Sequence, residues 1–250
     1  RPLAQLADLH RGVSVSLPEV TTTMPGLLRV SSCGADLSSE VPVERWDISS
    51  LECEEELVAQ RVRHGAFVRD LDLFDHARFS ISKAEAVEMD PQQRLLLERG
   101  YEALTYNDAR AGSRVGVFIG IGAMDYATLR RSLSRSRSVY AATGSSVPVA
   151  SGRLSFTLGL HGPCVSFETA CSSSLTAAHY ASQSLKLNEC AAALFAGVTL
   201  ILLPDVSVSF ALAGFTSLRG RCHTFDVRAD GYLRSEACCS ALLELAEPGI

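Results

Sequence analysis

From about residue 90 onward, apolar and polar positions alternate between two periods, one of a helix and one of a strand. Asp90-Pro91 predicts a helix start, because the aspartate side chain can cap unpaired N–H groups and proline suits the first helical position. Leu95–Leu97, Tyr101 and Leu104 then mark that helix's buried face. Arg114 to Ile121 is a continuous apolar run, as in a strand covered on both faces. Ser151-Gly152-Arg153-Leu154-Ser155-Phe156 leads through Gly159 and Gly162 to a β-type stretch, Pro163 to Glu168. Next comes a helix with apolar positions at Leu175, Ala177, Ala178, Tyr180, Ala181, Leu185 and Leu187, dense enough to be buried on most of its surface. Ala191 to Leu202 predicts a strand, Val206 to Ala213 a helix, and Gly231 to Leu245 a strand-like segment. Helix before strand, repeated, points to α/β layering.

The first part of the chain carries a weaker pattern. Residues 1–40 read as an irregular segment or linker in which only Gly12 to Leu17 or Leu27 to Cys33 has strand character. Val41 to Ser82 mixes acidic, aromatic and turn residues, as an irregular surface segment does, with Trp46 as a packing anchor.

Composition narrows the function classes. The chain has 250 residues, 47% hydrophobic and 20% charged, enough to bury a core as one large domain or part of one. A net charge of -5 argues against a nucleic-acid partner, which needs a basic surface. The eight cysteines form no CxxC pair and show no metal-ligand spacing, so neither a metal site nor a disulfide scaffold is expected, and a reducing compartment is the simpler reading. The apolar run from Ala191 to Leu203 is too short for a transmembrane helix and ends at Pro204. The first residue is Arg1 rather than methionine, which suggests a processed or partial product, and with no signal peptide visible the expected location is the cytoplasm or, for a processed chain, a plastid or other organelle. Gly120-Ile121-Gly122 lacks the third glycine of a dinucleotide loop, since position 125 is Asp. The acidic run at Glu52 to Glu56 reads as a solvated face. The basic, serine-rich tract Arg130 to Ser138 reads as an exposed loop that could dock an acidic carrier or take a phosphate.

Chemistry concentrates at Glu168-Thr169-Ala170-Cys171-Ser172-Ser173-Ser174-Leu175, where a strand turns into a helix. At a helix N-terminus the unpaired N–H groups and the macrodipole favour an anion, so the position suits a thiolate nucleophile at Cys171. His179 lies eight positions further along the same helix, about 12 Å of rise away, too far for a hydrogen bond to the thiol. His161 and His223, in glycine-containing turns, are the remaining candidate proton carriers. A serine-hydrolase reading of Ser172–Ser174 lacks the G-x-S-x-G elbow.

Thr169-Ala170-Cys171-Ser172-Ser173-Ser174-Leu175 resembles the nucleophile motif of β-ketoacyl synthases, specifically the ketosynthase domains of polyketide synthases and animal-type fatty acid synthases. Further matches come in the same order: Val41-Pro42-Val43-Glu44-Arg45-Trp46-Asp47; Phe74-Asp75 with Ile81 to Ala86; Met89-Asp90-Pro91-Gln92-Gln93-Arg94-Leu95-Leu96-Leu97-Glu98. Gly116 to Gly120, Ser151 to Phe156, Gly162-Pro163, Thr224-Phe225-Asp226 and Ala229-Asp230-Gly231-Tyr232 continue the series. The resemblance implies a thiolase-like layered fold (αβαβα), with residues 41–250 forming about its N-terminal half.

It also implies decarboxylative condensation through an acyl-Cys171 intermediate. The substrate would ride on the phosphopantetheine arm of an acyl carrier protein, no cofactor would be bound, and the chain would form a homodimer or join a larger assembly. The family's two catalytic histidines lie in the second half of its domain, and neither of their motifs follows Cys171 here. The alternative is therefore a truncated ketosynthase-like protein that serves as a structural or binding subunit. Three departures bear on local packing: Glu168 stands for the usual Asp, Arg234-Ser235-Glu236-Ala237 for Arg-Gly-Glu-Gly, and Leu218-Arg219 for Pro-Asp.

Overall fold

A computed structural model describes residues 13–18, 20–51, 56–105, 112–122, 125–133 and 138–245. The acidic positions 52–55 and the centre of the Arg/Ser tract, 134–137, lie outside the described residues. The chain opens with β1 (Val13–Leu17), β2 (Val20–Thr23), α1 (Met24–Ser32) and β3 (Ser39–Glu40), then α2 (Glu56–Val62), β4 (His64–Gly65), α3 (Lys83–Glu88) and α4 (Pro91–Thr105). The second part runs β5 (Val115–Ile121), α5 (Asp125–Leu133), α6 (Ala141–Gly144), α7 (Val147–Thr157), β6 (Cys164–Phe167), α8 (Ser173–Lys186), β7 (Ala192–Thr199), α9 (Asp205–Leu212) and β8 (Ala237–Glu244). Six strands form one sheet in the order β2-β1-β8-β7-β5-β6, with β5 parallel to β6 and β7, and the β7–β8, β8–β1 and β1–β2 pairs antiparallel.

Helices cover both faces of this sheet, α4 and α7 on one and α8 on the other. The central strand β5 shows why. Val115, Val117, Ile119 and Ile121 point into the larger core with Leu96, Leu154 and Leu194, while Phe118 points the other way to Ala177, Ala181 and Leu185 of α8. Every residue of β5 is buried, as a strand sandwiched between two helical layers requires. Asp90 starts α4 as its sequence suggests: Oδ1 accepts from the Gln92 N–H at 2.8 Å. Gly100 lets that helix sit close to Leu154, whose Cδ2 lies 2.9 Å from where a Cβ would be.

Two expectations are corrected. Residues 1–40 are not an irregular linker from residue 13 on, because β1 lies inside the main sheet, paired to β8 from Val13↔Ala241 to Ser16↔Cys238. Of its two candidate strands, 13–17 is one, whereas Leu27 to Cys33 falls largely in α1, which Pro25 helps to start and Leu27 anchors against Val13, Val15 and Ala241. The helix after Cys171 is also not buried on most of its surface. It rests on the sheet through Ser173, Ala177, Ala181, Ser184 and Leu185, and it leaves Leu175 73% and Tyr180 51% exposed on the other side.

Candidate active site

Strand β6 delivers the chain to a sharp corner. Ala170 has φ 53°, the left-handed region that costs a residue with a Cβ about 1–2 kcal/mol, and a short 3-10 turn over Ala170–Ser172 follows. The serines brace this corner. Ser172 Oγ donates to the Thr169 carbonyl at 2.7 Å, and Ser173 Oγ donates to the Ala170 carbonyl at 2.7 Å while accepting from the Thr169 N–H at 2.8 Å. With these hydroxyls holding backbone, a serine nucleophile is not the chemistry the corner presents. Cys171 projects outward, an exposed free thiol.

The same bracing leaves the helix end open. Ser172 occupies the N-cap of α8 but makes no side-chain cap hydrogen bond to the helix, so the positive end of the macrodipole faces the region beside Cys171. Such an end suits the negative oxygen that develops when a thiolate attacks a thioester.

A pair of glycines sets the height of that helix end. Gly120 of β5 and Gly197 of β7 are cross-strand neighbours. A Cβ on Gly120 would lie 2.5 Å from the Ser173 carbonyl carbon, and one on Gly197 2.6 Å from the Ser174 Cβ. Only glycine at both places lets the first turn of α8 settle onto the strand ends. Phe167 of β6 stacks on Tyr180 of α8 at 4.9 Å and locks the strand to the helix it feeds.

The histidines stand apart. His161 lies by the start of β5, since its neighbour Gly162 donates to the carbonyl of Val115, whereas Cys171 follows β6 beyond Phe167, which pairs with Gly120 near the other end of β5. Five residues of strand, roughly 16 Å, separate the two ends. His223 belongs to the segment joining the end of β7 to the start of β8, the same end of the sheet as Cys171. Its ring lies near Asp226, and its Nδ1 is buried without a hydrogen-bond partner. Among the described residues no hydrogen bond joins it to Cys171. His179 is exposed, with its ring edge-on to Tyr180 at 5.7 Å. No cluster of three metal-ligating side chains occurs among the described residues.

Sequence reading missed the buried carboxylates that hold this end of the sheet. Glu236, wholly buried, accepts from the Val68 N–H at 2.8 Å, the Ile201 N–H at 2.7 Å and Arg45 at 3.0 Å. Burial pushes its carboxyl above the ordinary glutamate range despite the Arg45 charge. Asp125 accepts from the N–H groups of Leu202 at 3.0 Å and Leu203 at 3.1 Å. The two acids grip successive residues of the turn that leaves β7. The altered positions beside Glu236 are tolerated, since neither Ser235 nor Ala237 has a positive φ. Gly220, next to the Leu218-Arg219 change, does have φ 59° and packs against His64.

Strand, strained corner, exposed cysteine and open helix end together present a free thiol at a strand-to-helix corner of a layered α/β scaffold. Residues 11–248 match the family model described as beta-ketoacyl synthase, N-terminal domain, and the chain belongs to that family. It is 37% identical over 239 residues to a phenolphthiocerol/phthiocerol polyketide synthase of Mycobacterium tuberculosis, covering 93% of this chain and 13% of that protein. It is also 37% identical over 245 residues to a mycocerosic acid synthase-like polyketide synthase of Mycolicibacterium smegmatis, covering 96% and 12%. In structure it resembles the ketosynthase from module 6 of the bacillaene synthase of Bacillus subtilis, with TM-score 0.83, 28% identity, and coverage of 94% of this chain and 39% of that one. The chain thus spans about an eighth of these synthases and about two fifths of that ketosynthase.

Proposed function

We propose that Cys171 accepts an acyl group from the phosphopantetheine arm of an acyl carrier protein, as the first step of a decarboxylative condensation in polyketide or fatty acid synthesis. The thiolate adds to the thioester carbonyl, the carbonyl oxygen becomes negative beside the open end of α8, and the phosphopantetheine thiol leaves with a proton. In the second step a malonyl-type extender loses carbon dioxide. The resulting enolate carbon attacks the acyl-Cys171 carbonyl, so a carbon–carbon bond forms and the thiolate of Cys171 is released. The two histidines that the family uses for this step belong to the second half of its domain. That half would cover the apolar side of α8 at Leu175 and Tyr180, together with Phe225 and Val227, which are fully exposed here.

The observation that carries this reading is an exposed thiol presented by a strained residue at an uncapped helix N-terminus. A second copy pairing along the exposed edge strand β6 fits the homodimer expected of the family. Free thiols at the seven described cysteines fit a reducing cytoplasmic compartment, and no helix among the described residues is long and apolar enough to cross a membrane. The exposed apolar side of α8 also favours a second reading, a non-catalytic subunit of a larger assembly.

Incubation with hexanoyl-N-acetylcysteamine, followed by peptide mapping, separates the two readings. Acylation at Cys171, lost in Cys171→Ala, supports the enzyme reading. Acylation spread equally over the exposed Cys33, Cys164 and Cys222 would overturn it in favour of the non-catalytic role.

A further inference from the structure

Away from Cys171, a cleft of about 960 Å³ lies between the segments 39–45 and 67–72 on one side and the starts of α4 and α5 on the other. Its apolar surface comes from Pro42, Pro91, Tyr126, Leu129 and Leu202. Into it reaches Arg94, from the first turn of α4.

Arg45 and the exposed Arg69 also line the cleft. Arg45 is paired with Glu236, and Arg130, at the far end of α5, with Glu88. The Nε of Arg94 is buried without a hydrogen-bond partner, and among the described residues its guanidinium makes no hydrogen bond or ion pair. Burial pulls its proton affinity below the ordinary arginine range, opposed by Tyr126, Asp90, Asp72 and Glu98, which act on it only through space. Both oxygens of Asp90 accept hydrogen bonds from Gln92, and neither bonds to Arg94. The Tyr126 hydroxyl is likewise committed, donating to the Val87 carbonyl at 2.6 Å. A half-buried guanidinium whose buried Nε is unpartnered, facing an open cleft with partly apolar walls, suits a planar oxyanion.

We propose that this cleft binds a small organic carboxylate, its oxygens taken by Arg94 and its hydrocarbon body laid against Pro42, Leu129 and Leu202. A single charge is the fit. Asp70, Asp72, Glu40 and Glu44 line the cleft against the arginines Arg45, Arg69 and Arg94, and this acidic balance disfavours a multiply charged anion. The hydrocarbon body gives the ligand its hold on a site where the charge alone would be opposed. The assignment is independent of the acyl-transfer reading, since none of the residues around the cleft belongs to the Cys171 corner.

The test titrates octanoate into the full chain by calorimetry, after Cys171 has been blocked with iodoacetamide so that an acyl channel cannot contribute. Octanol supplies the same body without charge, and inorganic phosphate a charge without body. The expected result is saturable octanoate binding at one site, with octanol and phosphate weaker and Arg94→Gln weakening octanoate by roughly ten- to a hundredfold. A second variant, Leu129→Trp, keeps Arg94 and fills the cleft, and it should abolish binding while the circular dichroism melt stays cooperative. Absence of octanoate binding to the parent chain, equal binding to Arg94→Gln, or phosphate binding as tight as octanoate each overturns the proposal. Cys171 acylation is measured separately, so either result can fail without the other.

Discussion

Ala170 is the residue on which the presentation of Cys171 turns. Its φ of 53° is open to glycine without penalty but forces a Cβ toward its own carbonyl. Ala170→Gly should relieve that strain and loosen the unfolded chain at once, leaving stability within about 1 kcal/mol of the parent. Ala170→Val places a β-branched side chain where it is a true outlier and should cost about 1–2 kcal/mol more. Chemical denaturation measures both, and iodoacetamide kinetics should show Cys171 alkylated more slowly in the valine variant. Sequence pattern singled out Cys171 as the candidate and placed the strand-to-helix turn around it. It did not identify the left-handed alanine, because nothing in the letters Thr-Ala-Cys marks which of the three absorbs the reversal.

At the scale of elements, the start of α4 carries a pH dependence of its own. Asp90 is 4% exposed, and burial pushes its carboxyl up to about 6 from an ordinary value of 3.8. The hydrogen bonds from Gln92 and the Arg94 charge oppose the rise, and the Asp125 charge adds to it. The folded state therefore holds the Asp90 proton more tightly than the unfolded state. This contribution is fully present below pH 3.8 and is lost as pH rises through about 6. Asp90→Asn keeps a capping side chain and removes the buried charge, so it should match the parent near pH 4 and exceed it near pH 7 by about 3 kcal/mol. Thermal melts at the two pH values decide this; an asparagine variant less stable by the same margin at both would contradict it. The Asp-Pro signal made this helix legible in the sequence, but the burial that perturbs Asp90 depends on Gly144, whose carbonyl accepts the Asp90 N–H at 2.7 Å from 54 positions away. The α8 helix shows the converse. Its apolar positions were legible, yet the side that stays exposed was not, since Leu175 and Ala177 look alike in a sequence while only the latter meets Phe118.

For the molecule as a whole, the turn leaving β7 is held by carboxylates that come from the start of α5 and from just before β8. Glu236→Ala would strip the Val68 and Ile201 N–H groups and Arg45 of their partner in a dry site, and should cost about 3–5 kcal/mol. Glu236→Gln retains one acceptor and should lose less. Urea unfolding of the pair distinguishes a hydrogen-bond hub from a mere ion pair, since an ion pair alone would make both variants equally poor. The family motif around Glu236 was recognisable from its neighbours, whereas its partners lie 35, 168 and 191 positions away, and only the closed sheet brings them together.

The glycine pair at Gly120 and Gly197 has a practical corollary. Because the first turn of α8 rests on both strands at once, the thiol keeps its elevation only while β5 and β7 stay in register. A slip by one residue would raise a side chain under Ser173 or Ser174 and tilt the thiol out of place. The alkylation rate of Cys171 is thus a built-in gauge of strand pairing at the centre of the molecule. In a urea titration its selectivity over Cys33 and Cys222 should vanish at the same midpoint as the far-ultraviolet signal, and in Gly120→Ala it should fall even where the overall helix content is unchanged.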